Sequence, residues 1–351
     1  MKNIIRQARK DKGWTMKTLA QHLAIDQALI SKYEKGLRIP TKEQIRNIAE
    51  VLEIDQETLL IAWMKERILN EYATEPYVLQ ALVAAEDEVK YRSKQDKRTI
   101  SRNLEEILEQ IDQLRTHLNT YRKYDSFRIA QALELEYTYE SNRIEGNTLT
   151  LRETDLVINE GLTVSGKSMK EHLEAINHQE AIVYIKELMD KKTTITQKVV
   201  LNIHNLILRG IYPEEAGKYR SIQVMIKGST HMPPQPYLVA KQMEELFFWY
   251  HEHRRQLHPV LLAAEMHERL VTIHPFIDGN GRTSRLLMNL ILLQHGYVIA
   301  NIKGDYDNRM AYYQSLEMAQ TQQQKEDFLI FIAANEQKSL ERYLSIIQQD
   351  Q

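Results

Sequence analysis

Apolar residues recur at helical spacing through most of this chain, and the pattern predicts a mostly α-helical protein. Over residues 261–273, and again over 283–295, apolar side chains cover most faces of the predicted helices, so both are expected to be buried on nearly every side. The exception is segment 219–236, where β-branched residues, Gly228 and paired prolines predict a short β-hairpin. A further helix, predicted to pack on the core, has apolar positions at 104, 107/108, 111, 114 and 118.

The beginning of the chain predicts a small helical domain of its own, residues 1–60. Thr15 can cap a first short helix and Asp26 a second one, which Gly36 ends. Residues 1–46 hold eleven Lys or Arg against four acids, although the whole chain has a formal net charge of −2. Two short helices joined by a tight turn, the second polar and basic outside, indicate a helix-turn-helix. A protein-binding module with a basic surface is the alternative.

The segment TLAQHLAIDQALISKYEKGLRIP also resembles the Cro/repressor-type (XRE-like) helix-turn-helix family, and the resemblance covers residues 4–60. It implies that the second helix enters the major groove of DNA and that the protein binds as a homodimer on paired half-sites. The residues that it assigns to DNA binding are Gln27, Ala28, Ser31 and Lys32 on the second helix, with Lys17, Lys35 and Arg38 at the phosphates.

Composition limits the remaining classes of protein. The chain has 351 residues, enough for two or three domains, and no cysteine, which excludes disulfides and thiolate metal sites. The first residues lack the apolar core of a signal peptide, and no run approaches membrane-spanning length, so a cytoplasmic protein is expected. Residues 61–99 are charged, with a helical pattern, and are predicted to form a helical connector.

The run HPFIDGNGRTSR, residues 274–285, concentrates the polar chemistry of the second half of the chain. It lies between the two buried helices and is expected to form a loop at the N-terminus of the second. Backbone N–H groups are unpaired there, and Gly279 and Gly281 let a ligand approach closely. Arg282 and Arg285, one helical turn apart, add donors suited to phosphate oxygens. The run therefore predicts a binding site for a polyphosphate.

This run matches the signature of the Fic family, and other segments resemble that family too: SNRIEGNTLTL, GKSMKEHLEAINH, GKYRSIQV and the tyrosine pair at 312–313. The resemblance covers residues 100–351 and implies an all-helical Fic domain with a small β-hairpin flap at 219–236. Fic proteins transfer a nucleoside monophosphate from a nucleotide to a protein hydroxyl. The implied activity is a protein adenylyltransferase that moves AMP from ATP to a Ser, Thr or Tyr of a protein, including itself.

The resemblance also assigns roles within the loop. His274 is the base that takes the proton of the attacking hydroxyl, and Asp278 holds Mg²⁺ or Mn²⁺ between phosphates. Arg282 neutralises the β-phosphate and Arg285 the γ-phosphate. The nucleotide-binding residues of the loop are Asp278, Gly279, Asn280, Gly281, Arg282, Thr283, Ser284 and Arg285.

Gly281 bears on the direction in which the nucleotide binds. The related Doc toxins, which phosphorylate, have a lysine in its place and bind the nucleotide reversed, so Gly281 together with Arg282 favours AMP transfer. For the adenosine the resemblance points to the flap and to positions beyond the loop, namely Val224, Met225, Ile226, Lys227, Tyr312, Tyr313 and Gln320. Close relatives often have an Asn where this chain has Gln320.

Residues 141–147 resemble the inhibitory motif of the Fic family, to which Ser141 and Glu145 belong. Gly146 stops a predicted helix just after Glu145, and a carboxylate at that end costs about 0.3–1 kcal/mol unless a cation pairs with it. In the family that cation is the last arginine of the signature, here Arg285. The pair would fill the γ-phosphate site, which predicts autoinhibition. In some relatives the same Glu activates water to remove AMP, which leaves a reverse activity open.

Two function classes follow from these patterns. The first is an autoinhibited Fic adenylyltransferase with a DNA-binding domain in front of it. The second is a DNA-binding transcriptional regulator whose Fic domain senses nucleotide or modifies the regulator itself.

Overall fold

The computed structural model describes residues 1–82, 100–121, 127–322 and 324–349, and the chain divides into two compact units, residues 1–99 and 100–351. In the described parts of both units the regular secondary structure is α-helical, as the apolar periodicity predicts. None of these helices is long and apolar enough to cross a membrane.

The helices of the first unit enclose one small core. Thr15 and Asp26 accept hydrogen bonds from the first turns of α2 and α3, and Gly36 ends α3 in the left-handed conformation, so the predicted helix-turn-helix is confirmed. Inward-facing apolar residues such as Leu19 and Ile30 make up the core. The helices are α1 (Lys2–Asp11), α2 (Met16–His22), α3 (Gln27–Lys35), α4 (Lys42–Leu52) and α5 (Gln56–Tyr72).

Helix α5 runs through residue 60, the predicted end of the first domain. Leu59 and Trp63 are both buried in the core of the first unit, and the Trp63 indole donates to the Pro40 carbonyl (Nε1–O 2.8 Å). The first part of the segment assigned to the connector therefore packs with the helix-turn-helix. Residues 83–99 of that segment lie outside the described residues.

In the second unit two helices, α12 and α13, lie at the centre of the core, and almost every residue of both is buried. Helices α9 and α10 pack on α13, while α11 and α15 pack on α12. Helix α6 packs along α15 and buries Leu104, Leu108 and Ile111, which confirms the helix predicted there. The helices are α6 (Arg102–Tyr121), α7 (Phe127–Ile144), α8 (Leu151–Asn159), α9 (Met169–Asp190), α10 (Gln197–Leu208), α11 (Pro236–His253), α12 (Pro259–Ile273), α13 (Asn280–Gln294), α14 (Tyr306–Thr321) and α15 (Glu326–Gln349).

The predicted β-hairpin at 219–236 is wrong, because residues 219–235 contain no strand and Pro236 begins α11. Pro233 and Pro234 have no N–H group to donate to a strand ladder. Side chains bind the backbone carbonyls instead: Arg220 donates to the carbonyls of Ile222 and Pro234, and the Gln223 amide donates to that of Pro233 (2.9 Å). We call residues 219–235 the flap, which is an irregular segment.

Candidate active site

The loop between α12 and α13 has a left-handed residue at each end. His274 has φ 49° and ψ 58°, which residues with a side chain rarely adopt, and Gly279 has φ 78°. The Asn280 side chain closes the loop, since it accepts from the Phe276 N–H (3.0 Å) and donates to the Phe276 carbonyl (2.9 Å). Backbone strain of this kind clusters at functional sites.

The N-terminus of α13 presents backbone and side-chain donors that have no acceptor within the described part of the chain. The N-cap residue is Gly279, so no side chain caps the helix, and the N–H groups of its first turn lack intrahelical acceptors. Beside them, Arg282 Nε and Thr283 Oγ1 are buried without a hydrogen-bond partner. The Ser284 hydroxyl differs, because it donates to the Asn280 carbonyl of its own helix (2.8 Å). Buried donors at a helix N-terminus are suited to phosphate oxygens.

Arg282 is buried between two carboxylates. Its Nη1 lies 3.2 Å from Glu174 Oε1, and its Nη2 lies 3.4 Å from Asp278 Oδ1. Glu174 belongs to α9 and also accepts from the Asn147 side chain (Nδ2–Oε2 2.9 Å). Sequence reasoning missed Glu174, because one acid within a helix gives no local sign of a partner that lies far along the chain.

Asp278 lies at the mouth of this site and is partly exposed. It accepts from the Gly279 N–H (2.6 Å), and its Oδ2 lies 3.6 Å from Lys170 Nζ. Burial would raise the pKa of Asp278, but the charge of Arg282 and these contacts outweigh burial, so the pKa is lowered and the carboxylate is ionised at neutral pH.

A single ionised carboxylate beside a phosphate cradle fits Mg²⁺ or Mn²⁺, which takes its other ligands from phosphates and water. Within the described residues no group of three or more His, Cys, Asp or Glu side chains could hold a metal ion.

Arg285 is fully buried, and its guanidinium is engaged by the end of α7. Its Nη2 donates to Glu145 Oε1 (2.7 Å) and to the Ser141 carbonyl (2.9 Å), and its Nε donates to Ser141 Oγ (3.0 Å). Burial alone would lower the pKa of Arg285, but the charge of Glu145 and two neighbouring tyrosines outweigh it and the pKa is raised. Glu145 follows directly after Ile144, the last residue of α7. The two residues of the predicted motif therefore both contact Arg285.

Gly281 makes room for the Glu145–Arg285 pair. A Cβ atom at this position would lie 2.3 Å from Glu145 Oε1 and 3.1 Å from Arg285 Nη1. Any side chain there would displace the pair. The glycine is therefore required by the approach of Glu145, a role that the sequence pattern alone does not reveal.

His274 is half-buried and has the properties of a neutral base. Its Nδ1 lies 3.3 Å from the Val271 carbonyl and donates to it, which leaves Nε2 as an acceptor. Burial lowers the pKa of His274 to about 4, and the charge of Arg220 acts in the same direction. The imidazole is therefore uncharged at neutral pH and able to accept a proton.

This lowered pKa predicts the pH dependence of any reaction that uses His274 as a base. A base acts in its neutral form, so the rate rises with pH only around the folded pKa, about 4, and is flat well above it. We expect initial rates at subsaturating nucleotide to change less than about twofold across the pH range around 6.5, where an unperturbed histidine titrates. A rate that falls on acidification with an apparent pKa near 6.5 would contradict this account.

Arg220 is a further buried cation that joins the flap to the loop, and sequence reasoning missed it. Its Nε donates to the His274 carbonyl (2.8 Å), and its backbone N–H donates to the Pro275 carbonyl (2.9 Å). Because the same guanidinium also binds flap carbonyls, one side chain fixes both the strained turn at His274 and the flap. Arg220 lies in the segment GKYRSIQV, which resembles the Fic family, but the sequence does not reveal the contacts of its side chain.

His204 on α10 supports the other end of the loop and was also missed. Its Nδ1 accepts from the Gly217 N–H (3.0 Å), so Nε2 carries the proton and donates to the Asp278 carbonyl (3.0 Å). Its ring stacks on Phe276 at 3.6 Å. Burial lowers the pKa of His204 to about 4, which keeps this tautomer neutral. His204 thus positions the backbone of Asp278.

The residues that the sequence assigns to the adenosine divide into two groups. In the flap, Val224 and Ile226 are half-buried, whereas Met225 and Lys227 are exposed. Only Val224 and Ile226 therefore face the protein, and Met225 and Lys227 face outward.

On α14, Tyr313 and Gln320 share the face that meets the flap. Glu317 lies between them on that face and accepts from the Thr230 N–H and hydroxyl at the flap (both 2.7 Å). Tyr313 donates to the Ile144 carbonyl (2.9 Å). Gln320 Nε2 is buried and has no hydrogen-bond partner among the residues that the structure describes. These positions are compatible with a base-binding pocket between the flap and α14.

Tyr312 lies in the core, next to buried Arg285. It is 2% exposed, and its hydroxyl lies 2.9 Å from His267 Nε2. His267 is itself fully buried and packs on Phe328, as expected for a histidine whose part is packing. Tyr312 is therefore a buried neighbour of Arg285, and Tyr313 is the more exposed tyrosine of the pair.

In the first unit, the side chains assigned to DNA lie on and around the outer face of α3. Ser31 is half-buried, and the others are exposed: Gln27, Ala28, Lys32, Lys17, Lys35 and Arg38. Arg9, one of the eleven basic residues of this region, is buried and forms a two-point ion pair with Glu34 (2.6 and 2.9 Å). Arg9 thus stabilises the fold and does not contribute to the basic surface.

The sequence of this chain is similar to those of known proteins. Residues 194–292 match the Fic/DOC family, and residues 5–55 match the Helix-turn-helix family. The chain is 33% identical over 339 residues to a protein adenylyltransferase Fic of Drosophila grimshawi, an alignment that covers 93% of this chain and 67% of the relative. It is 37% identical over 246 residues to a protein adenylyltransferase Fic of Nematostella vectensis, covering 69% of this chain and 56% of that relative.

The fold also has solved counterparts. The structure of Fic-1 from C. elegans superposes with a TM-score of 0.63 at 25% identity and covers 100% of this chain and 98% of that one. The chain spans 67% and 56% of the lengths of the two curated relatives.

Proposed function

Because this chain belongs to the Fic/DOC family and carries a helix-turn-helix domain, we propose that it is a protein adenylyltransferase that moves AMP from ATP to a protein hydroxyl, including one of its own. The supporting observation is the loop at the N-terminus of α13. There the neutral imidazole of His274, held in a strained turn, borders a helix end with buried, unpartnered donors. This combination suits the attack of a hydroxyl on a phosphate.

In the proposed reaction, His274 Nε2 takes the proton of the attacking hydroxyl. The hydroxyl oxygen bonds to the α-phosphorus, and the bond from that phosphorus to the leaving pyrophosphate breaks. The N–H groups at the start of α13 and the Arg282 side chain offset the negative charge that develops on the phosphates. An Mg²⁺ or Mn²⁺ ion held by Asp278 would neutralise part of that charge as well. The remaining contribution is alignment, which Arg220 and His204 provide by fixing the loop.

The same proposal includes autoinhibition. Arg285 is assigned to the γ-phosphate, but in this structure it binds Glu145 at 2.7 Å. A nucleotide whose γ-phosphate cannot reach Arg285 would bind with its α-phosphate away from His274. The chain is therefore proposed to be held in a low-activity state until Glu145 leaves Arg285.

The experiment that tests the reaction compares two labels in the Glu145→Gly background. The protein is incubated with Mg²⁺ and either α-³²P-ATP or γ-³²P-ATP, with lysate proteins as acceptors. AMP transfer labels protein from the α-position only, whereas phosphorylation labels it from the γ-position only. Labelling from the γ-position alone, or from neither, would remove the proposal.

A second candidate function, transcriptional regulation, is favoured by the match of residues 5–55 to the Helix-turn-helix family. Under this proposal a homodimer binds DNA, and self-modification by the second unit alters that binding. A gel shift with the protein's own promoter, repeated with ATP and Mg²⁺, distinguishes the two candidate functions. A shift that is lost on self-modification supports transcriptional regulation. If the protein shows no specific binding to the promoter, the regulatory function is ruled out.

We expect Gln27→Ala to weaken binding to the promoter fragment by about 5- to 150-fold, the effect of losing a base contact worth about 1–3 kcal/mol. Binding to a scrambled fragment should be unchanged, because Gln27 would contribute only to sequence recognition. Fluorescence anisotropy at one fixed salt concentration measures both. Gln44→Ala is not a suitable control, since Gln44 caps α4, so exposed Gln56 on α5 serves instead. Equal losses on both fragments would count against a base contact.

A further inference from the structure

A cavity of about 390 Å³ in the second unit is lined by none of the residues assigned to the nucleotide. It lies between the first half of α7, the end of α9, residues 297–303 and α15. Its volume is in the range of small-molecule sites, about 300–1,000 Å³. We call it the α7 cavity.

The α7 cavity is lined mainly by apolar and basic side chains. Leu133, Met189, Val298 and Ile299 are among its apolar lining residues. The charged lining residues are one acid, Glu134, and four bases: Lys186, Lys303, Lys338 and Arg342. Long basic side chains line such a site with their stems and keep their charges at the rim. The ligand that fits is an apolar body with one anionic end.

Three of these cations already bind carboxylates of α7. Lys186 Nζ lies 2.5 Å from Glu134 Oε1, and Lys303 and Arg342 both pair with Glu136. Lys338 differs, since it has no ion-pair partner in the described part of the chain. The other three cations therefore already bind carboxylates. The carboxylate of a bound ligand would compete with the glutamates of α7 for the same cations.

Helix α7 is also the helix that ends beside Glu145. Further along it, Glu140 accepts from the Gly304 N–H (2.8 Å) and lies 3.6 Å from Lys303. Lys303 thus belongs both to the cavity and to the contacts that hold the end of α7. Loss of its bonds would loosen the segment that carries Ser141 and Glu145.

We propose that the α7 cavity binds a small amphipathic carboxylate, and that this binding weakens the Glu145–Arg285 pair by drawing Lys303 and Arg342 away from α7. The regulatory part rests on the proposed function, in which that pair inhibits the enzyme. By linkage, a ligand that disfavours the inhibited position of α7 is itself bound more tightly when α7 is free.

The binding test is calorimetric titration of the full chain with decanoate below its micellar concentration. Decanoate should bind, whereas decyltrimethylammonium, of similar length and opposite charge, should not. Ala130→Phe places a ring at the cavity wall and should abolish binding, while Ala132→Phe, exposed on the same helix and outside the lining, should leave it unchanged. Lys338→Gln should weaken binding about two- to fivefold, and Lys198→Gln, an exposed lysine of α10, should not. No binding of decanoate, or equal losses in the paired variants, would overturn the site.

The coupling is tested without any activity, so that it can fail separately from the adenylyltransferase proposal. Hydrogen exchange of the backbone amides of residues 137–145 should become faster when decanoate is bound, and Ala130→Phe should remove this effect. Binding that leaves these amides unchanged or slows their exchange would overturn the coupling.

Discussion

Replacing Glu145 by Gly is expected to raise the initial rate of α-³²P-ATP labelling by about 10- to 150-fold. The substitution removes the hydrogen bond from Arg285 Nη2 to Glu145 Oε1, which is 2.7 Å long and joins two charged groups. Bonds of this kind contribute about 1.5–3 kcal/mol, and every 1.4 kcal/mol changes a population tenfold. The variant therefore increases the fraction of molecules in which Arg285 is available to a γ-phosphate.

Two further variants separate the charge from the flexibility that glycine introduces. Glu145→Gln keeps the size of the side chain and removes its charge, so it should give an intermediate rate. Glu160→Gly changes an exposed acid at the end of α8, which does not contact Arg285, and should leave the rate within about twofold of wild type. A rate for Glu145→Gly no higher than that for Glu160→Gly would show that the ion pair does not restrain the reaction.

Replacing His274 by Ala is expected to lower labelling by about 10²- to 10⁴-fold in the Glu145→Gly background, the usual contribution of a positioned base. The loss should appear in kcat and not in ATP binding, because the proposed nucleotide contacts come from α13 and its arginines. Calorimetric titration with a non-hydrolysable ATP analogue measures binding in the same variants.

His117→Ala provides the matched control, because His117 is exposed on α6 and lies outside the site. It should keep full labelling. If His274→Ala retained labelling as His117→Ala does, His274 would not be the base. If His274→Ala lost nucleotide affinity as well as rate, a structural role for the left-handed turn would replace the chemical one.

Features encoded by short stretches of sequence were predictable here. The caps at Thr15 and Asp26, and the end of α3 at Gly36, depend on neighbouring residues alone, and the structure has them where the pattern indicates. A loop between two apolar helices was predictable for the same reason, but its predicted end was wrong: the loop ends at Gly279, and residues 280–285 form the first turns of α13. The contact of Glu145 with Arg285 joins residues far apart in the chain, and only the resemblance to the Fic family pointed to it.

The flap shows where local patterns fail. Its β-branched residues favour a strand, but a strand needs partners for its backbone groups, and Pro233 and Pro234 cannot supply N–H donors. Arg220 supplies donors from a side chain, and Glu317 on α14 accepts from the flap backbone. The sequence around these residues does not indicate either contact, so the irregular conformation of the flap was not predictable from the segment.

The same limit applies to the supports of the loop. Glu174, His204 and Arg220 each reach the site through contacts with residues far along the chain. A single polar residue on an otherwise apolar helix face is compatible with packing, with capping or with a site. Only the three-dimensional structure distinguishes these three roles, and it places Glu174, His204 and Arg220 at the site.

Autoinhibited AMP transfer is tested most directly by the intact mass of the protein after incubation with ATP and Mg²⁺, followed over time for wild type and Glu145→Gly. Glu145→Gly should gain the mass of one or more AMP groups well before wild type does. A gain of phosphate mass, or equal gains of AMP in the two proteins, would contradict it.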